Sequence, residues 1–401
     1  MLKYTGITIA LILFFADKVS AQSGCTDPAA INYELGAITN DGSCIYPTTH
    51  YDPLLRTQLP SEIAESSGLT WTDGKLWTHN DSGDPALFNI DTTDGHIVQT
   101  VLVNNFPNVD WEDIAADDDY LYIGDFGNNI GTRTDLKILK IAKADITAAD
   151  TVYVNAQGIY FSYSDQTDFS SRPYMHNYDC EALVSVADSL YIFTKNWADM
   201  QTRVYQLPKL AGSYTLSTYT SFNVNGLITG ATYKTVTKEI ALIGYVGLFS
   251  NSFLYFLNNY SNNQFFSGNK RKIEIGQNVP WQTEGITLIS GDKFFISNET
   301  AGINASLYTV KKNWLWPADV EHSLNFISEP AFYPNPCTDL LLLKVNSSFD
   351  YFSILNSQGQ LVKSGAINNK LIPTKDLSIG DYILQLSNKE GMKSNMHFIK
   401  K

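Results

Sequence analysis

Between about residues 55 and 328 one short pattern recurs five times: an apolar strand, a polar turn rich in Asp or Gly, and a second apolar strand. Ser67-Gly68-Leu69 leads to Leu76-Trp77, Glu112-Asp113-Ile114 to Leu121-Tyr122, and Glu181-Ala182-Leu183 to Leu190-Tyr191. Thr229-Gly230-Ala231 leads to Ile240-Ala241, and Glu284-Gly285-Ile286 to Phe294-Phe295. The two anchors are nine residues apart in the first three cases, eleven in the fourth and ten in the fifth. A strand, a tight polar turn and a strand make a β-hairpin. Further strand-like runs lie between the hairpins, among them Leu136–Ile141, Gly158–Tyr163, Arg203–Leu207 and Phe253–Leu257, so each unit has about four strands in roughly 50 residues. Four antiparallel strands, repeated, mark a β-propeller. The expectation is an all-β protein with five blades, with room for a sixth between Arg133 and Tyr178. The competing fold is an irregular β-sandwich.

The repeat has a geometric consequence. In an antiparallel hairpin the start of the first strand and the end of the second share one end. If the first strand is innermost, Ser67, Glu112, Glu181, Thr229 and Glu284 form a ring around the channel. The second-strand ends Asn80, Asp81, Asp125, Lys195, Asn196, Tyr245, Asn298 and Glu299 surround it. Converging glutamates repel unless a raised pKa, a lysine or a metal offsets them. Calcium takes six to eight oxygen ligands, and Glu112, Glu181, Glu284, Asp125 and Asn298 offer such a set. The alternative is that these groups accept hydrogen bonds from strand-end amides and from Lys195, Arg133 or Arg203. His79-Asn80-Asp81-Ser82-Gly83-Asp84 and Gly124-Asp125-Phe126-Gly127-Asn128-Asn129 lie on the same face. They read either as ligand-binding loops or as Asx turns. His79, Asn80, Asp81, Asn128, Asn129, Lys195 and Glu299 are therefore the candidate binding residues. Trp71, Trp77, Trp111 and Trp197 are either stacking surfaces for a ligand or packing between blades.

Charge narrows the partners. Lys and Arg number 28 against 41 Asp and Glu, a net charge of −13. That argues against a nucleic-acid surface, which needs clustered positive charge. The histidines form no zinc pattern, and there is no Walker motif, dinucleotide fingerprint or Gly-x-Ser-x-Gly elbow.

Both ends read as addresses. Residues 1–21 have a short positive start at Lys3, an apolar run Gly6–Ala16 and small residues at Val19-Ser20-Ala21. This reads as a signal peptide rather than a membrane anchor, since the run is too short to span. No later segment is apolar enough to span. Export permits disulfides. Cys25 and Cys44 bracket a small polar module, residues 22–50, and a bridge there would stabilise it by about 3 kcal/mol. The string Gly24-Cys25-Thr26-Asp27-Pro28, Asn32-Tyr33, Asp41-Gly42-Ser43-Cys44 resembles a short module of secreted Bacteroidota proteins. Its Asp27, Asn32 and Asp41 serve either calcium or turn capping. Cys180 and Cys337 are left unpaired. From about 331 to 401 the chain turns to short alternating strands behind Tyr333-Pro334-Asn335-Pro336, which suggests a small immunoglobulin-like β-sandwich.

The Pro-Asn-Pro start, Gln358-Gly359-Gln360, Gly380-Asp381-Tyr382 and the terminal Phe398-Ile399-Lys400-Lys401 resemble the type A C-terminal sorting domain of the Bacteroidota type IX secretion system. The resemblance implies a partner, the type IX machinery, and a destination, secreted or on the outer-membrane surface. Trp111-Glu112-Asp113-Ile114-Ala115, Gly124-Asp125-Phe126-Gly127-Asn128-Asn129 and Asp179-Cys180-Glu181-Ala182-Leu183 are similar to bacterial propeller proteins. They more loosely resemble phytase-like esterase and lactonase propellers, whose axial metal is held by carboxylates and amides. Thr229 breaks that pattern in the fourth hairpin, so only a ring-shaped site is carried over. Two function classes stand: an extracellular binding or scaffold module for a polymer or small ligand, and a calcium-dependent hydrolase of ester, lactone or phosphoester bonds.

Overall fold

The computed structural model describes residues 22–247, 251–276, 281–312, 332–343, 349–356, 360–367, 370–387 and 393–401. The signal-peptide reading of residues 1–21 lies outside them. The chain divides into two compact units, before and after residue 320.

The first unit is a β-propeller of five sheets, with hairpins innermost. Blade 1 starts with Ser66–Thr72 and Lys75–Asn80, blade 2 with Trp111–Ala116 and Tyr120–Asp125, and blade 3 with Cys180–Val186 and Ser189–Thr194. Blade 4 starts with Leu227–Lys234 and Glu239–Val246, and blade 5 with Thr283–Ser290 and Lys293–Asn298. The stretch from Arg133 to Tyr178 makes no sixth blade. Its strands Lys137–Ala142 and Gln157–Tyr163 belong to blade 2, whose outermost strand is Gly212–Leu216, while Thr151–Val154 runs parallel along the edge of blade 1. The strand Leu54–Gln58, early in the chain, pairs antiparallel with Ser306–Lys311 and becomes the outer strand of blade 5.

Apolar alternation on each strand builds one core cluster per blade interface. Trp77, Val101, Trp111 and Ile123 fill the space between blades 1 and 2, and Tyr122, Ile138, Leu183 and Tyr205 that between 2 and 3. Val184, Phe193, Ile228 and Leu242 join blades 3 and 4, and Ile243, Phe256, Ile286 and Phe294 join 4 and 5. Leu69, Leu76, Phe295 and Leu307 join blade 5 to blade 1. Five interfaces for five blades carry the ring back to its start. Trp77 and Trp111 are thus packing residues, 3% and 0% exposed.

Cys25 and Cys44 form a disulfide. The Asp27 carboxylate accepts the Ala29 amide and the Tyr46 hydroxyl, Asn32 holds Ser43 and Ile45, and Asp41 accepts the Ser43 amide. Asp27 and Asp41 cap local turns, while Asp27 and Asn32 also tie distant segments of the module together. The module sits on blade 4 through Asn40 to Asn269 and Lys270 to Gly42, and the strand His50–Tyr51 runs parallel along that blade's edge.

The second unit is a small β-sandwich of a three-stranded and a four-stranded sheet. Leu341, Phe352, Ile354, Ile372, Leu384, Leu386 and Phe398 form its core, together with the buried thiol of Cys337. Cys180 is likewise a buried free thiol.

Candidate functional site

The inner strand of every blade carries a β-bulge at the same place. Ladder pairing skips Glu112 between Trp111 and Asp113, Glu181 between Cys180 and Ala182, and Thr229 between Ile228 and Gly230. Ser67-Gly68 and Glu284-Gly285 are passed over in blades 1 and 5. A bulge takes a residue out of the ladder and re-aims its side chain. Here it turns Glu112, Glu181 and Glu284 into one cavity of about 410 Å³, whose lining also holds Asp81, Lys195, Tyr245, Gln282 and Glu299. Asp81, Lys195, Tyr245 and Glu299 each stand one residue beyond the position that pairs just before the bulge. The amides of Asp81, Lys195 and Glu299 bond the carbonyls of Glu65, Asp179 and Gln282, extending each hairpin past its ladder. Asn129, Tyr174 and Trp197 complete the wall.

Other predicted site residues lie elsewhere. Asp125 pairs with Trp111 and Asn298 with Thr283 in their ladders, so their side chains point to the sheet faces between blades rather than to the axis. Asp125 is buried against Arg133 and Lys137, 2.8 Å from each. The Asn298 amide donates to the carbonyls of Glu299 and Asn304. His79 is fully buried, edge-on to Trp111, with burial lowering its pKa to about 4. Asn80 caps Glu62 and Glu65, and Asn128 takes the Arg133 amide and donates to Tyr178. Of the cations expected to answer the ring acids, Arg203 pairs instead with Asp165.

Two residues the hairpin pattern did not single out belong to the site. Asp179 brings a carboxylate oxygen within 4.8 Å of one from Glu112 and one from Glu181, and all three residues are buried. Asp110 stands close enough to raise the Glu112 pKa, and a Cβ on Gly127 would fall 2.1 Å from Glu112 Oε1 and 2.5 Å from Asp110 Oδ2. Only glycine lets the backbone approach that closely.

The electrostatics follow from crowding. The Lys195 ammonium is 2.6 Å from both Glu181 oxygens and faces the Trp197 and Tyr245 rings at 5.0 and 5.2 Å. Burial works against its charge, but Glu181, Tyr245, Glu284 and Asp179 outweigh that and hold its pKa well above the ordinary value. Burial, then Glu181, Asp110 and Asp179, push Glu112 well above the usual carboxylate range. Burial pushes Glu284 well up as well, against Lys195. Burial lifts Asp110 to about 6 and Glu299 to about 7. It lifts Asp81 to about 8, helped by a hydrogen bond shared with Glu65.

Below the ring, Asp113 accepts the amides of Ile114, Leu183 and Ala231 at 2.8, 2.8 and 3.2 Å. These come from blades 2, 3 and 4, so one carboxylate bridges the channel. The same three residues line the cavity of the opposite mouth. Thr229, where the ring lacks an acid, donates instead to the Thr283 carbonyl at 2.6 Å.

The donors of the cluster are all oxygen, which suits a hard divalent cation rather than zinc. Fully ionised, Glu112, Asp179 and Glu181 carry −3 and Lys195 +1, a sum of −2 that one such ion would neutralise. Lys195 holds both Glu181 oxygens, so Glu181 would share them with an ion.

Residues 331–401 match the family described as the secretion system C-terminal sorting domain. The chain carries a type IX sorting tail. The tail marks the protein for export to the cell surface or beyond, and no helix among the described residues is long and apolar enough to cross a membrane. A comparison with curated proteins finds no match. Among solved structures, the chain is similar to PorZ, an essential surface component of the type-IX secretion system of Porphyromonas gingivalis. Identity there is 11% and the TM-score 0.35, over 92% of this chain and 48% of that one. The chain thus spans about half of PorZ. It is also similar to an exo-β-1,3-galactanase from Clostridium thermocellum, at 11% identity and a TM-score of 0.43, over 87% of this chain and 86% of that one. An α-L-arabinanase from Penicillium chrysogenum shares 8% identity at a TM-score of 0.39, over 67% of this chain and all of the other.

Proposed function

We propose that the exported propeller is an extracellular binding module whose ligand enters the axial mouth, and that calcium completes the site at Glu112, Asp179 and Glu181. The observation that carries this is the trio itself: three buried carboxylates with oxygens within 4.8 Å of one another, beside a single ammonium. Asp179 also accepts the Asn128 amide and the Trp197 indole N–H, but three carboxylates against one ammonium leave a charge that a counter-ion would offset. Asp110 stands ready as a further oxygen donor. Bound calcium would supply charge neutralisation and open coordination positions for oxygen-bearing ligands. The chain's own part is to hold Glu112 and Glu181 on bulges, with Asp179 just before the second of them, and to keep Lys195 on Glu181.

Calorimetric titration of calcium into the chelated full chain tests this. One ion per chain, lost in Glu112→Gln, supports the reading; no heat and no saturation would end it. A second reading, hydrolysis of ester, lactone or phosphoester bonds, draws on protonated and ionised acids standing side by side in one cavity. Turnover of chromogenic esters, lactones or phosphoesters that vanishes in Glu112→Gln would favour it over simple binding.

A further inference from the structure

The cavity has two unlike sides. The Lys195 ammonium, on the blade 2 and 3 side, bonds Glu181 and acts on Glu284 and Glu299 at longer range, through its charge. On the side of blades 5 and 1, Glu284, Glu299 and Asp81 line the wall, and among the described lining residues no cation comes from those blades. Glu284 is 2% exposed, and its Oε2 has no hydrogen-bond partner. Gln282 is a neutral donor to Glu284 and Glu299, but a buried carboxylate oxygen left unbonded in the cavity carries a desolvation penalty that a ligand's donor would remove. Protonation answers part of the charge, but it supplies no partner for that oxygen.

The opposite wall says what kind of donor fits. Trp197 and Tyr245 already flank an ammonium, that of Lys195. Tyr174 packs edge-on to Trp197 at 4.7 Å and is 58% exposed, and its neighbours Met175 and Ile130 are 66% and 50% exposed. The Tyr174 amide bonds the Asn129 carbonyl and the Arg172 amide that of Ile130, which ties the backbone of Tyr174 to the Asn129 loop that lines the cavity. An acidic pocket with an aromatic wall and an apolar lip is complementary to a basic side chain on a polypeptide. The charge enters, the stem lies along the rings, and the neighbouring residues cover the lip.

We infer that the mouth captures an exposed arginine or lysine side chain of an extracellular polypeptide, with Glu284 and Glu299 receiving its cationic head and Tyr174 and Trp197 its stem. This rests on the binding-module reading and adds the ligand class. It uses the carboxylates of blades 5 and 1, not the calcium trio.

The test uses the full chain with calcium present and three capped pentapeptides that differ only at the centre: arginine, lysine or citrulline. Citrulline keeps the shape of arginine and removes its charge. The expected result is at least tenfold weaker binding of the citrulline peptide, a similar loss of arginine-peptide affinity in Glu284→Gln, and weakening with added salt. Calcium titration of Glu284→Gln should still show one ion, which separates a failure here from a failure of the calcium reading. Equal affinity for the arginine and citrulline peptides, or no binding of any of the three, would overturn the inference. So would binding of neutral oligosaccharides that Glu284→Gln leaves unchanged. The arginine and citrulline comparison is made on the unmodified protein, so it holds whether or not the variant folds.

Discussion

Lys195 lays its ammonium 2.6 Å from both carboxylate oxygens of Glu181, fully enclosed between the Trp197 and Tyr245 rings. The two residues come from the two strands of one hairpin and meet because Glu181 is bulged out of the ladder. The pair organises the charge of the whole cavity.

Removing one partner strands the other. Lys195→Met should destabilise the propeller by about 3–5 kcal/mol, the usual cost of leaving a buried charge unpaired. Adding Glu181→Gln to Lys195→Met should recover much of that loss. Urea denaturation of the full chain checks both, and a single variant as stable as the parent would refute the pairing.

The acids around the pair set a pH dependence. Asp110, Glu299 and Asp81 are lifted to about 6, 7 and 8 in the folded protein, against about 4 when unfolded. The folded state therefore holds more protons between pH 4 and 8, and stability falls as pH rises through that window. With chelator present, the unfolding free energy should drop by about 3 kcal/mol from pH 5 to pH 8, after screening and relaxation. Calcium should flatten the part of the curve that Asp110 contributes, because it binds the deprotonated carboxylates beside that group. Stability that rises toward pH 8 in chelator would contradict the burial argument.

Much of this was legible in the sequence, because the hairpin repeat states which residues share an end. The offsets from Glu112 to Leu121 and from Glu181 to Leu190 were enough to foresee the ring face. The bulge was not legible. Side chains in a strand alternate with period two, so one extra residue changes which of two neighbours faces the axis. That is why Glu112 reaches the cavity while Asp125, paired with Trp111, stays between blades. Asp110 and Asp179 did leave a trace, an acid two residues before the ring acid in Asp110-Trp111-Glu112 and Asp179-Cys180-Glu181. Period two would have placed each on the same side as the ring acid.

Asp113 should be a keystone of the fold. Its carboxylate accepts amides from three inner strands. Asp113→Asn sets an NH₂ group against at least one of those donors, at a cost of about 2–3 kcal/mol. A lowered denaturant midpoint is expected, and an unchanged midpoint would remove the bridge from the account.

The tail makes a cellular prediction. Deleting 331–401 should leave the propeller folded, since among the described residues its five blade interfaces are built within the first unit, yet abolish its appearance on the cell surface or in the medium. Protease accessibility on intact cells reads this directly. Surface delivery without the tail would show another export route.

The central claim is that acids from separate blades form one cation-binding ring. It is tested most directly by the thermal unfolding midpoint of the full chain in excess calcium and in chelator, for the parent and for Glu112→Gln. A ligand that binds only the folded state raises the midpoint, by about 2.7 kcal/mol of stabilisation at a hundredfold excess over Kd. The account predicts a clear rise with calcium in the parent and little or none in Glu112→Gln. Identical midpoints in calcium and chelator for the parent would contradict it.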